Sequence, residues 1–376
     1  MARHDQWVID EVLRLQKEWK STRFISQHML DVHWYTIPNT TVWEIIRRIG
    51  RAIEEYAENN DTNADNIKHL RHKTKLEDGS RVSVFIKNKT EEKHIERLKN
   101  EIVELAKAYA PKYPVIKRQH SSDWHLLVID PADIHIGKLA SAFETGEDYN
   151  SQIAVQRVLE WVRGILDKTS TYHIDNILFI GGNDILHIDN PKRTTTSGTP
   201  QDTDGMWYDN FMIAKKLYID VLEMLISVAD VRFVFNPSNH DFTNGFFLCQ
   251  TIESWFHNNN NISFETDMKH RKYYKYGKNM IGTTHGDGAK QNDLPVLMAT
   301  ESPVMRSETT HRYIYSHHIH HKVSKDYIWA TFESLRSPSW ADSRHHRNWY
   351  QHAPKAIEWF IHHPEHGQIW RFTHIF

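Results

Sequence analysis

Apolar residues recur along this chain with two different periods, and the change of period divides it. From Asp5 to about Asn60, Val8, Val12, Leu13 and Leu15 recur at helical spacing. Phe24, Ile25 and Met29 do so after Ser21-Thr22, and Val42, Ile45, Ile46 and Ile49 follow Thr40-Thr41. Ser and Thr at those positions are the residue types that accept from the free N–H groups of a helix start. Three short helices are therefore predicted over residues 1–60, with Trp34, Tyr35 and Trp43 as candidate core aromatics.

Residues 61–122 are polar and mixed in charge. Asp78-Gly79 predicts a turn joining strands at 73–76 and 82–86. Ile95, Leu98, Ile102, Val103 and Leu105 then keep helical spacing until Pro111 and Pro114 interrupt it, which marks a connector. From 123 to 376 the texture becomes short apolar runs, at 126–129, 177–180, 231–235 and 280–281, separated by helical stretches. That alternation predicts an α/β fold, a sheet framework flanked by helices. Ligands in such sheets gather beyond the carboxyl ends of the strands, where a polar cluster follows each run.

Composition adds constraints. Lys plus Arg number 46 against 48 Asp plus Glu, a formal charge of -2, so any contact with nucleic acid must use a local patch. The one cysteine, Cys249, cannot form an internal disulfide, and no uninterrupted apolar run reaches the roughly 18 residues a membrane span needs. A soluble protein in a reducing cytoplasm is expected, without membrane association. The 27 histidines are far more than a metal site consumes, so most are solvated or hydrogen-bonded side chains and position must select the rest.

The clusters after the runs are Asp133-Ile134-His135, the stretch Gly181-Gly182-Asn183-Asp184, Asn239-His240-Asp241, Thr284-His285-Gly286-Asp287, and His317-His318-Ile319-His320. Asp133 and His135, two residues apart, point to the same side if their loop is extended, as do His318 and His320. Glycines before Asp184 let the backbone turn closely, and its two oxygens can serve two ions. Taken singly, each cluster also reads as an ordinary polar loop or turn.

Their order is more specific. Asp-x-His, Gly-(Asn)-Asp, Asn-His-Asp, His-Gly-Asp and His-x-His, each after an apolar run, resemble the calcineurin-like metallophosphoesterases over about residues 124–376. The resemblance implies a β-sandwich flanked by helices and two divalent ions, Mn²⁺ first, with Fe, Zn²⁺ or Mg²⁺ as alternatives. It implies that Asp133, His135, Asp184 and His320 hold one ion, and Asp184, Asn239, His285 and His318 the other. His240 would be the catalytic imidazole, with Asp241 either orienting it or serving as a turn carboxylate. The implied reaction is hydrolysis of a phosphoester by a metal-activated hydroxide. The chain departs from the family pattern at Ser238 and His317, where glycine is usual, at the inserted Asn183, and at His187, which replaces an acidic residue and is not counted as a ligand. If positions 238 and 317 require positive φ, Ser and His are strained there, at about 1 kcal/mol each.

Substrate is less legible. The helices of 1–60, the last carrying Arg47, Arg48 and Arg51, resemble a helix-turn-helix module, and a small bundle for homo-oligomer assembly reads equally well. Such a module plus connector ahead of the phosphoesterase is similar to proteins encoded by bacteriophages and to the DNA-repair exonuclease branch of the family. A nuclease acting on DNA is therefore expected. The alternatives are a phosphodiesterase or phosphatase of a nucleotide-sized molecule, and a nucleic-acid-binding protein with a decayed metal site. Lys192 and Arg193 head a polar stretch that reads either as a substrate-facing loop contacting phosphate or as a solvated one, and the basic cluster at 344–347 shares that ambiguity.

Overall fold

Ser21 accepts from the N–H of Phe24 at 3.2 Å and so starts a helix just after another has ended. In the computed structural model these are α1 (Gln6–Lys17) and α2 (Thr22–His33). The structure describes residues 6–17, 21–33, 36, 42–43, 45–47, 69–75, 81–87, 100, 102–104, 107, 109–118, 123–341 and 354–376. Arg48, Arg51, Trp34, Tyr35, the expected caps Thr40 and Thr41, the Asp78-Gly79 turn and the cluster at 344–347 lie outside these residues. The chain divides into two compact units, Met1–Glu101 and Ile102–Phe376.

In the first unit Val8, Val12, Leu15, Ile25, Met29 and Val42 are buried together, with Ile45 and Ile46 packed against them. Trp43 is not in this core as expected. It is half-exposed and carries the Arg47 guanidinium over its ring, 4.7 Å from the centroid. The expected hairpin forms as β1 (His69–Lys75) and β2 (Arg81–Lys87), antiparallel with Thr74 opposite Val82.

The second unit is mixed α/β and layered. Parallel strands β3 (His125–Asp130), β4 (Ile174–Gly182), β5 (Asp230–Asn236) and β6 (Ile262–Glu265) share a six-stranded sheet with β12 (Ala356–His363) and β13 (Gly367–Ile375), in the order β13-β12-β3-β4-β5-β6. The short α3 (Ala142–Thr145) and the long helices α4 (Ser151–Thr169), α5 (Trp207–Ile226) and α6 (Phe242–Trp255) connect them. A second, five-stranded sheet has the order β10-β11-β9-β8-β7, from β7 (Arg271–Tyr276), β8 (Asn279–Thr284), β9 (His311–Ser316), β10 (Val323–Asp326) and β11 (Thr331–Ser334). The helices α7 (Leu294–Glu301) and α8 (Pro303–Ser307) lead from β8 to β9.

The buried runs sort by the twofold alternation of a strand. Leu127, Ile129, Ile177, Phe179, Val231, Phe233 and Phe235 point to the side covered by α4, α5 and α6. Leu126, Val128, Leu178, Ile180 and Val234 point the other way, and meet Ile281, Tyr315 and Phe360 between the sheets. On the outer face of the second sheet, Met280, Ile314 and Phe332 pack with Leu294 and Met298. Truncating a fully buried ring such as Phe179 to alanine costs about 3–5 kcal/mol at such a site.

Thr283 Oγ1 donates to Asn236 Oδ1 at 2.8 Å, which ties β8 of one sheet to the end of β5 in the other and sets the strand ends side by side. The proline-bracketed segment 109–118 lies against this unit, with Tyr113 Oη donating to Glu223 at 2.7 Å and receiving a bond from Trp255 Nε1 at 3.0 Å. No helix among the described residues is long and apolar enough to cross a membrane.

Candidate metal centre

Strands β3, β4 and β5 of one sheet and β8 and β9 of the other end at Asp130, Gly182, Asn236, Thr284 and Ser316, and every residue of the expected ligand set lies just beyond those ends. Asp133, His135 and His320 converge there, as do Asp184, His285 and His318, the ligand atoms of each trio lying within 4.8 Å of one another. His135 Nε2 is 3.3 Å from His320 Nε2, and Asp133 Oδ1 is 3.4 Å from His320 Nε2. In the second group His285 Nε2 lies 3.2 Å from Asp184 Oδ2 and 3.0 Å from Asn239 Oδ1. The two groups are joined because the N–H of His318 donates to Asp133 Oδ2 at 3.3 Å.

The local backbone differs from expectation. Asp133-Ile134-His135 and His318-Ile319-His320 are not extended. Asp133, His135, Asp184, His318 and His320 all have φ between 52° and 72°, in the left-handed region. Their side chains converge through alternate left-handed turns rather than through the twofold alternation of a strand. Each such non-glycine residue costs about 1–3 kcal/mol, and strain of this kind gathered at five donor residues is characteristic of a functional site. Gly182, at φ 80°, is required as a glycine, because a Cβ there would run into the carbonyl oxygen of Asn236.

The strain expected at Ser238 and His317 is absent, since neither has positive φ. Ser238 instead stitches the site. Its Oγ accepts from the N–H of Asp184 at 2.7 Å and donates to Asp241 Oδ1 at 2.6 Å, while Asp241 Oδ2 accepts from the N–H of Leu186 at 2.9 Å. Asp241 therefore braces the 184–186 loop, one carboxyl oxygen on the Leu186 N–H and the other on Ser238. Burial, with the Asp184 charge adding to it, pushes the Asp241 carboxyl up to about 8. His317 is fully buried, with Nε2 3.1 Å from Asp130 Oδ1. Burial raises the Asp130 carboxyl, with His317 opposing that rise.

His240 is oriented by a backbone carbonyl. Its Nδ1 donates to the oxygen of His187 at 2.9 Å, and its own N–H donates to Asp184 Oδ1 at 3.0 Å. A carbonyl only accepts, so Nδ1 carries the proton and Nε2 is left for whatever enters the cleft. His187, not counted as a ligand from the sequence, stacks on His240 with centroids 5.2 Å apart and approaches His135 Nδ1 with its own Nδ1 at 3.3 Å. A histidine in place of an acidic residue was the available signal, and only the fold shows that it lies behind both imidazoles.

Electrostatics separate the donors. Although burial disfavours the cation, Asp184 pushes His285 up to about 9, and Asp184 in turn is held below the ordinary carboxylate range, against its burial, by His285 and His240. Burial, aided by the neighbouring His240, drives His135 well below the ordinary imidazole range. Two imidazole nitrogens facing each other beside a buried carboxylate oxygen suit a cation better than a shared proton. Oxygen and imidazole donors fit Mn²⁺, Fe, Zn²⁺ or Mg²⁺; Cys249 is buried in the core among the α6 residues and adds no thiolate.

Of the remaining expected residues, Lys192 and Arg193 are exposed on the segment that follows the Asp184 loop. That segment is fastened rather than loose. The N–H of Thr196 donates to the oxygen of Asn239 at 3.1 Å, the N–H of Asp204 to Gly137 at 2.8 Å, and that of Leu139 to Asp202 at 3.2 Å. Arg47 lies in the first unit.

No protein-family model and no curated protein matches the chain. Among solved structures it is similar to an archaeal phosphodiesterase, at 8% identity and a TM-score of 0.33 over 67% of this chain and 99% of that one. It is also similar to zinc-complexed Vps29 from Entamoeba histolytica, at 10% identity and a TM-score of 0.30 over 67% and 98% of the two chains. Vacuolar Protein Sorting 29 from Cryptosporidium parvum matches at 12% identity and a TM-score of 0.28, over 68% and 99%. With identities this low, the chemistry of the site has to be read from its own side chains.

Proposed function

We propose that this chain is a two-metal phosphodiesterase of the calcineurin-like metallophosphoesterase type, acting on nucleic acid. The observation that carries the reading is the convergence of two donor trios, Asp133-His135-His320 and Asp184-His285-His318, in which every member but His285 is left-handed; the bridging role of Asp184 is part of the proposal. When bound, a pair of divalent ions supplies Lewis-acid charge for phosphoryl oxygens and a water of lowered pKa. Asp133, His135, Asp184 and His320 would hold one, and Asp184, Asn239, His285 and His318 the other. Mn²⁺ is the first ion to test by the family resemblance, and the donor set admits Fe, Zn²⁺ or Mg²⁺ as well.

The chain's own residues supply the rest. His240 presents Nε2 to the substrate because Nδ1 is committed to His187. As imidazolium it donates to a phosphoryl oxygen or to the departing alkoxide, work worth on the order of 10² to 10⁴ in rate. Ser238 and Asp241 keep the Asp184 loop in its strained shape while this happens. Lys192 and Arg193 are exposed on a segment bound to the Asn239 and Gly137 backbones, and we assign them to the backbone of a strand leaving the site. DNA is the preferred substrate, because a diester flanked by nucleotides would use those cations, and the Arg47-bearing unit is read by itself as a DNA-binding module. Small-nucleotide hydrolysis is the second reading, favoured by the near-zero net charge.

The test is hydrolysis of bis-p-nitrophenyl phosphate and of single- and double-stranded DNA by the Mn²⁺-loaded protein. Cleavage of DNA that a chelator abolishes, and that His240→Ala lowers by about 10² or more, is expected. Turnover of the small diester with intact DNA would move the substrate to the nucleotide-sized reading, and silence on both would end the enzymatic one.

A further inference from the structure

We propose that Met206, Trp207 and Tyr208 form a stacking ridge that takes bases of the single-stranded nucleic acid flanking the scissile phosphate, with Lys192 and Arg193 on its backbone. This rests on the phosphodiesterase reading of the metal centre and extends it to how the strand is held.

Three apolar side chains in a row are exposed at the start of α5: Met206 at 43%, Trp207 at 36% and Tyr208 at 50%. The two rings stand edge to face, with centroids 5.7 Å apart and planes at 79°. Arg193 joins them, its Nη2 3.8 Å from Met206 Sδ. Arg193 is itself left-handed at φ 58° and held from both sides, its N–H donating to Asn190 at 3.1 Å and its oxygen accepting from Gln201 at 2.9 Å.

Position says what covers the ridge. Its supporting segment is bonded on one side to Asn239, a proposed ligand, and on the other to Gly137 and Leu139, just after the ligand His135. The segment that leads into the ridge is thus hydrogen-bonded to backbones beside the proposed ligands, on the side of the metal centre where we place the non-reacting part of a diester. Its charge is not a field for phosphate alone, because Asp202 and Asp209 are exposed on the same segment as Lys192 and Arg193. Ring faces flanked by balanced charge suit bases, which stack on Trp and Tyr whatever their sequence, and a guanidinium can add a cation–π or phosphate contact.

The experiment is fluorescence anisotropy of a labelled oligothymidylate of about 12 nucleotides, bound to the full chain carrying Asp184→Ala so that it is not consumed. W207L/Y208L keeps apolar volume but removes the ring faces, and should weaken binding roughly tenfold or more at both low and high salt. W207F/Y208F should restore most of it. K192A/R193A should instead lose affinity chiefly at low salt. Unchanged affinity in W207L/Y208L, or equal loss in the Leu and Phe pairs, would overturn the ridge. So would a concentration-dependent dimer abolished by W207L/Y208L with oligonucleotide binding intact, which would make the face a self-contact. Failure of the wild-type chain to hydrolyse any diester would remove the reading of the metal centre while the anisotropy still decides the ridge.

Discussion

Ser238 shows how one hydroxyl can fix a loop whose backbone conformation is unfavourable. Its Oγ lies between the N–H of Asp184 and the carboxyl of Asp241, all of them buried. Removing it leaves a buried donor without a partner, a loss of about 1–3 kcal/mol. Ser238→Ala is therefore expected to lower stability in urea by that amount and to reduce bound metal, because Asp184 loses its hold. A stability and a metal content equal to wild type would show that the loop keeps its shape without the hydroxyl. His240 stands at the same scale, since a single carbonyl, that of His187, decides which of its nitrogens faces the cleft.

At the scale of elements, the two sheets meet over a buried polar contact. His362 on β12 is fully buried, its Nε2 3.0 Å from Tyr315 Oη on β9 and its Nδ1 3.3 Å from Asn279 Oδ1 on β8. Burial, with His311 adding to it, lowers this imidazole to about 3 from an ordinary 6.5. A depressed value means the unfolded chain binds the proton more readily. Its contribution to stability is therefore complete above about pH 6.5 and is lost progressively as pH falls toward 3. Comparing metal-free wild type with His362→Gln in urea at pH 7 and pH 5, the wild type should lose more stability than the variant between the two. Equal losses would mean that His362 is not held neutral.

Much at this scale is legible in the sequence. The runs at 126–129, 177–180, 231–235 and 280–281 are β3, β4, β5 and part of β8, because continuous burial on both faces leaves an unmistakable apolar string. The ordered clusters after them do meet at one end of the two sheets. What could not be read was the backbone between Asp133 and His135 and between His318 and His320. Asp and His are among the residue types enriched in the left-handed region, but the conformation is uncommon even for them, so residue type alone does not predict it at these positions. The sequence leaves Asp241 open between orienting His240 and serving as a turn carboxylate for a related reason, as its partners Ser238 and Leu186 are set by the fold and not by spacing.

The whole molecule joins a layered α/β unit, Ile102–Phe376, to a first unit, Met1–Glu101, that bears Arg47 over Trp43. The donor residues all lie in the second unit, so hydrolysis is separable from the DNA binding proposed for the first. Removing residues 1–101 should spare hydrolysis of bis-p-nitrophenyl phosphate and weaken duplex DNA binding, with a shallower salt dependence as phosphate contacts are lost. Unchanged affinity and salt slope would assign the first unit to assembly instead. Two-metal chemistry at this centre requires Asp184 to serve two cations at once, and the most direct measurement is metal content per chain by mass spectrometry after loading with Mn²⁺ and desalting. Two ions per wild-type chain, falling to one or fewer in Asp184→Ala with the fold intact by circular dichroism, is the predicted result. An Asp184→Ala chain that still retains two ions would contradict it.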